Sequence, residues 1–247
     1  MALLKKIRLG LRIPFAIRNW PTFLLDYLGL KKGYLVYSIG DKKVKVRAHS
    51  IDKKILIELV LDDKYFPKWF SLEKDATVVD VGAHIGIFSV LVGRKVYSIE
   101  PSKENYDLLL EQTKLNNSNI IPFNIALSDK NETVKLYNGR HSARCSIIRK
   151  ETSEWESVNT LTMKDFFERN KIEKCDLLKM DVEGAEYKIL KSTPKEIFKK
   201  IQNIFIEIHD VEGENRQELI EFIKSQGYDI KIKDDFVYAV RPSPPKN

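Results

Sequence analysis

The stretch 79–93, VDVGAHIGIFSVLVG, constrains the fold more than any other part of this 247-residue chain. An apolar run carries Asp80, two glycines (Gly82 and Gly86) follow, and the hydrophobic pattern then changes from strand to helix period. Glu100 closes the next apolar run, twenty residues past Asp80. Strand, glycine turn, helix and a second strand ending in an acid form the unit that opens a doubly wound sheet, with the ligand lying over the first turn. Glycine lets backbone approach a ligand, and one carboxylate can accept from two neighbouring ribose hydroxyls. A dinucleotide site needs Gly-x-Gly-x-x-Gly so that backbone N–H groups meet the pyrophosphate. Counted from Gly82, the second and third of those positions hold His84 and Ile87. The remaining pattern suits a nucleoside with an amino-acid tail, S-adenosyl-L-methionine. An ordinary tight turn with a surface acid is the competing reading.

The rest of the chain agrees with an α/β fold. Apolar runs at 77–81, 95–100, 119–125, 176–181 and 203–208 read as strands, and helix-length segments follow all but the third. TVKLYN reads as a short strand, 138–157 as a polar loop and MKDFFERN as a helix. Thr193, Pro194 and Glu196 read as N-cap, N1 and N3 of a further helix. ENRQELIEFIKSQG is a helix stopped by Gly227, and YDIKI with FVYAV closes as a hairpin around Asp234-Asp235. The expectation is a doubly wound, mostly parallel, seven-stranded Rossmann-like sheet over 76–242. Ahead of it, 1–75 carries a basic amphipathic arm, a hairpin around Gly40-Asp41 and a segment of undecided type; 243–247 is a tail.

VVDVGAHIGIFSV, VYSIEPSKENYDLLLEQTKLNN, NIALSD, LLKMDVEGAEYKIL and IFIEIHD occur in the order seen in FkbM-type methyltransferases, which the chain resembles over about residues 60–210. The resemblance implies a class I S-adenosyl-L-methionine-dependent fold and O-methylation of hydroxyls on sugars or natural products. It implies that Asp80, Gly82, Ala83, His84 and Gly86 form the methionine-side loop and that Glu100 is the ribose acid. Asn124 and Ala126 should lie near adenine.

Transfer to an alcohol requires alignment and removal of a proton. The candidates gather at two strand ends. CDLLKMDVEGAE places Asp181 at the mouth of the fourth strand with Glu183 and Glu186 on the next turn, and IFIEIHD places His209 and Asp210 at the mouth of the fifth. His209 or Asp181 is the expected base, and Glu183 the residue that positions the acceptor. Acids that merely cap a helix would look the same. No spacing demands a metal, although Asp181, Glu183 and Asp210 would suit Mg²⁺. Lys179 and Glu207, each two residues before a strand-end group, are expected to face each other as a buried ion pair. Arg140, His141, Arg144 and Arg149 in the 138–157 loop would suit an acidic or phosphorylated sugar, and a solvated loop accounts for them equally well.

Net charge is +7, and residues 1–33 hold seven basic side chains against Asp26 alone, leaving a near-neutral body. Such a body argues against a nucleic-acid acceptor. RNA methylation, at ribose or base, and a non-catalytic cofactor-binding module remain as alternatives to a saccharide or glycolipid acceptor. Two cysteines, Cys145 and Cys175, without metal spacing fit a reducing, cytoplasmic setting. Basic residues interleaved with aromatics in 1–33 raise peripheral contact with the inner membrane face. An arm packed on the domain, or a dimer contact, is the preferred account of the same pattern. Nothing in the sequence fixes the oligomeric state.

Overall fold

Strands buried on both faces are near-continuous apolar runs, and such runs belong in the middle of a parallel sheet. A computed structural model, which describes residues 12–61, 64–137, 146–148 and 152–242, shows this arrangement. Helix α1 (Trp20–Tyr27) leads into the hairpin β1 (Tyr34–Ile39) and β2 (Lys42–Arg47), then α2 (Asp52–Leu61). The alternation follows as β3 (Thr77–Val81), α3 (Ile87–Val92), β4 (Lys95–Ile99), α4 (Lys103–Asn116) and β5 (Ile120–Phe123). A small sheet is inserted next: β6 (Ala126–Leu127), β7 (Thr133–Tyr137) and β8 (Trp155–Leu161). The chain then runs through α5 (Met163–Arg169), β9 (Leu177–Met180), α6 (Glu186–Ser192), α7 (Lys195–Lys200) and β10 (Asn203–Glu207). It closes with α8 (Arg216–Ser225), β11 (Asp229–Lys233) and β12 (Phe236–Val240).

The large sheet has seven strands in the order β11-β12-β10-β9-β3-β4-β5. β3, β4, β5, β9 and β10 are parallel, and β12 runs antiparallel to both β10 and β11. The chain leaves β3 toward β4 and β5 on one side and returns to β9 and β10 on the other. The order therefore reverses between β3 and β9, and a crevice opens beyond their carboxyl ends. Gly82 follows one strand and Asp181 the other.

The segment after the hairpin, undecided from sequence, is the helix α2. The extension shares a core with the sheet: Tyr37, Val46 and Leu56 pack in one buried cluster with Val78, Ile85 and Phe88. β2 would otherwise present an open edge. Side-chain amides of α4 close it, with Gln112 bonded reciprocally to Lys45 N (3.0 Å) and O (2.7 Å). Asn116 does the same for Lys43 N and O, at 2.8 Å each.

Three expectations need correction. The 138–157 loop ends earlier than expected, because Trp155 already begins β8, which pairs antiparallel with β7. Arg140, His141, Arg144, Cys145 and Arg149 lie outside the described residues. Thr193 does not cap α7: its hydroxyl donates back to Ile189 O at 2.7 Å, and Pro194 takes the cap position.

Lys179 and Glu207 share a face of the sheet but do not pair. Lys179 stands opposite Asp80 in register, and its Nζ lies 3.1 Å from Asp80 Oδ1. Glu207 instead meets Lys64 Nζ at 3.0 Å. Burial opposes the Lys179 charge, yet Asp80 and Asp181 outweigh it and raise its pKa. Asp80, fully buried, also accepts from Ser89 Oγ at 2.6 Å. The pair ties the centres of β3 and β9 together beneath the crevice.

Candidate active site

One cavity occupies the crevice. Its lining includes Gly82, Ala83, His84, Ile99, Glu100, Asn105 and Ala126 on one side and Lys179, Asp181, Val182 and Glu183 on the other. Ile55, Leu59 and Tyr65 from the extension complete the wall.

The glycine turn also has a cause within the fold. A Cβ on Gly82 (φ +77°) would stand 1.8 Å from the carbonyl oxygen of Asp181, so glycine lets β3 and β9 splay without a collision between the two loops. Lys179 Nζ then donates to Gly82 O at 2.7 Å and pins the turn. Gly86 (φ +81°) does not line the cavity; a Cβ there would come 2.4 Å from Leu109 Cδ1 on α4. Gly86→Ala should therefore cost about 1–3 kcal/mol of stability, from backbone strain and overpacking together. Urea unfolding would read it as a lower midpoint with an unchanged slope.

Glu100 is 5% exposed at the end of β4. Its Oε2 accepts from His84 N at 2.8 Å, and its Oε1 from Ser102 N at 3.0 Å and Asn105 Nδ2 at 3.4 Å. A carboxylate offers about four lone-pair sites, so capacity remains on the cavity side. Burial pushes its pKa up to about 7, and the backbone N–H groups only partly offset this. A buried carboxylate that keeps an unfilled acceptor site in the wall of the cavity fits a ligand that brings a hydroxyl to it. That is the test S-adenosyl-L-methionine must pass here, and the residues present pass it.

His84 has a left-handed backbone (φ +53°), which turns its N–H onto Glu100. Burial lowers its ring pKa to about 4, so the ring is neutral. Nε2 lies 3.2 Å from Arg47 Nη2. Arg47 grips the buried Asp52 through two hydrogen bonds of 2.9 Å, and its Nη2 donates to Asn105 Oδ1 at 2.9 Å. The hairpin thereby holds Asn105, which in turn holds Glu100. Asp80 and Asn124 do not line the cavity: Asp80 lies below it, and Asn124 Nδ2 is spent on the carbonyls of Glu100 (3.0 Å) and Pro101 (2.8 Å). Ala126 does line it.

At the other strand ends His209 Nδ1 lies 2.7 Å from Glu186 Oε1, and Nε2 lies 3.7 Å from Glu183 Oε2 and 3.9 Å from Asp181 Oδ1. Burial opposes the imidazolium, but Glu186, Asp181 and Glu183 outweigh it and raise its pKa to about 9. The three residues expected to do chemistry are thus together, with Asp181 and Glu183 lining the cavity and His209 beside them. One ligand atom from each of Asp181, Glu183 and His209 falls within 4.8 Å of the others, a set able to hold a divalent cation, with His209 where the sequence suggested Asp210. Tyr65 OH lies 3.3 Å from both Asp181 Oδ2 and Glu207 Oε2. Burial and the two carboxylates keep that phenol protonated and able to donate.

Sequence reasoning missed Arg47, Asp52, Tyr65 and Lys64. All four come from the extension, and the only local signal, for Arg47, Asp52 and Lys64, is a charge in an otherwise β-rich or apolar run; Tyr65 has none.

Comparison with known proteins bears on this arrangement. Among curated proteins, the chain is 24% identical over 219 residues to Methyltransferase 1 of Beauveria bassiana, covering 77% of this chain and 84% of that one. It is 26% identical over 225 residues to Methyltransferase sdnD of Sordaria araneosa, covering 75% and 84%. It is 25% identical over 145 residues to the hexuronic acid methyltransferase AglP of Haloferax volcanii, covering 56% of this chain and 57% of that one. A solved SAM-dependent methyltransferase from Agrobacterium tumefaciens aligns over 86% of this chain and 71% of its own, at 8% identity and a TM-score of 0.47. The model of the methyltransferase FkbM domain matches residues 80–230, which takes in the glycine turn, Glu100, the Asp181 strand end and His209. The chain therefore belongs to the FkbM methyltransferase family, with S-adenosyl-L-methionine as the methyl donor.

Proposed function

We propose that this methyltransferase acts on oxygen, at a hydroxyl of a saccharide or a glycolipid-borne sugar. The observation that carries the reading is that Glu100 and the Asp181–Glu183 pair line one cavity. A cofactor-gripping acid and two carboxylates able to accept an alcohol proton thus share a single open crevice. The hexuronic acid named for the AglP relative supports a sugar as the acceptor class.

S-adenosyl-L-methionine, when bound, supplies an electrophilic methyl group. The chain's own residues would do the rest. Glu100 would accept from the ribose hydroxyls, and the turn of Gly82, Ala83 and His84, whose N–H groups are held by Ile99 O and Glu100, would border the amino-acid end. Ala126, with Asn124 fixing the loop behind it, would border the adenine. Asp181 accepts the proton of the acceptor hydroxyl, and Glu183 orients that hydroxyl. His209, cationic at neutral pH, offsets the carboxylates around it and leaves Asp181 as the base. Asp80 and Gly86 act indirectly, by holding Lys179 and seating α3 against α4.

The test is transfer of labelled methyl from S-adenosyl-L-methionine into cell extract separated into glycan, lipid, RNA and protein fractions, followed by defined hexuronic acid glycosides. Label that enters glycan or lipid-linked sugar and resists mild base is expected for a methyl ether. Label confined to RNA or protein would replace this reading.

A further inference from the structure

We propose that the outer face of α1 and the residues leading into β1 form a docking surface for an anionic lipid bilayer. The claim goes beyond methyl transfer and holds whichever acceptor is used.

Thirteen large apolar side chains stand well exposed among the described residues, and nine of them fall between positions 15 and 36. Scattered exposure is ordinary; concentration of this kind marks an interaction site. Phe15 is 93% exposed, Leu30 68% and Tyr27 66%, with Leu24, Leu28 and Trp20 beside them. The orientation is fixed rather than incidental. Ile17 and Phe23 are buried in the core that the extension shares with the sheet, so the opposite face of α1 must point outward.

Charge selects the occupant. Asp26 is the one acidic residue in 1–33, and the fold buries it: Tyr37 OH donates to its Oδ2 at 2.6 Å, and Lys53 Nζ lies 3.0 Å away. The four basic residues described in the same segment (Arg12, Arg18, Lys31 and Lys32) are left with no acid of that segment at the surface, and the sequence ahead of them adds Lys5, Lys6 and Arg8 without an acid. An apolar face bordered chiefly by cations, with Asp41 the exposed acid near Arg18, matches the boundary between headgroups and acyl chains of an anionic membrane. A second copy of the chain fits less well, because a two-fold contact would set one cationic rim against another. No helix among the described residues is long and apolar enough to cross a bilayer, so the contact would be peripheral.

The experiment is co-sedimentation of the full chain with vesicles of phosphatidylcholine alone and of phosphatidylcholine mixed with phosphatidylglycerol. Binding at least tenfold stronger to the anionic vesicles, weakened by high salt, is expected. The double variant Leu28→Ser/Leu30→Ser should lose most of it while binding S-adenosylhomocysteine as the parent does, which certifies its fold. Equal or negligible binding to both vesicle types would overturn the proposal. So would sedimentation velocity showing a dimer that the double variant dissociates, since the face would then be a contact between copies.

Discussion

Replacing Asp181 by asparagine should lower kcat by about 10²–10⁴-fold, the range a positioned general base supplies, while affinity for S-adenosylhomocysteine changes little. Asparagine keeps the shape and can still accept from Tyr65 OH, which lies 3.3 Å from Oδ2 in the parent. It cannot take the acceptor's proton. Glu100, by contrast, ends β4, while Asp181 follows β9, across β3. Turnover and cofactor affinity should therefore separate cleanly in this variant. The loss arises in the chemical step, so KM for the acceptor should rise far less than kcat falls. Glu183→Gln should show the opposite split, with a raised acceptor KM and a smaller loss of kcat. Label transfer into the fraction that accepts methyl measures both. A D181N enzyme within about threefold of the parent would remove Asp181 from the chemistry and leave alignment alone, a term worth roughly 7–11 kcal/mol in favourable cases.

The sheet was legible because its central strands are buried on both faces: TVVDV and LLKM admit few readings other than parallel strands, and the chemistry-bearing residues punctuate their ends. Period-two reasoning also placed Lys179 and Glu207 on one face. It named the wrong partner, because strand order decides which charge lies within reach. Lys179 has Asp80 directly across on β3, and Glu207 is claimed by Lys64 from outside the sheet. β8 escaped because half its residues face solvent and its polar alternation through Glu156 and Asn159 resembles a loop. The glycines were identified correctly as points of close approach, but what approaches is the Asp181 carbonyl and Leu109, not only a ligand. Arg47 and Tyr65 could not be assigned from sequence. Tyr65 meets Asp181 across 116 residues of chain and Arg47 meets Asn105 across 58, and no local pattern records such pairings.

The extension is therefore part of the architecture that holds the candidate site. Arg47 passes its constraint through Asn105 to Glu100, while Tyr65 and Lys64 brace the Asp181 and Glu207 strand ends. The one segment from Arg47 to Tyr65 reaches Glu100 through Asn105 and Asp181 directly. If α1 rests on a bilayer, the same segment would fix the distance between the cavity mouth and a lipid-borne sugar.

Affinity for S-adenosylhomocysteine should weaken as pH falls through about 7, approaching tenfold per unit, and should level off above pH 8. The sign follows from burial, which pushes the Glu100 pKa up to about 7 in the free chain. Ribose hydroxyls donate to the ionised carboxylate and stabilise it, so below that pKa binding must first expel a proton. Other groups leave this window clear: His84 titrates near 4 and His209 near 9. Folding stability is a poorer probe. A raised Glu100 pKa favours the fold below its unfolded value of 4.5 and loses that advantage as pH rises through 7. His84 works in the opposite sense, gaining from about 4 up to 6.5. Glu100→Gln should flatten the pH profile of ligand binding and weaken affinity about 10–100-fold, as expected when a charged hydrogen bond is lost. Its amide also sets N–H against the His84 or Ser102 N–H, both of which donate to the parent carboxylate. Isothermal calorimetry at pH 6, 7 and 8 in buffers of different ionisation enthalpy would count the proton released. Pairing Glu100 with a diol requires close to one proton at pH 6 and none in the glutamine variant; equal enthalpies across buffers in the parent would place the ribose elsewhere.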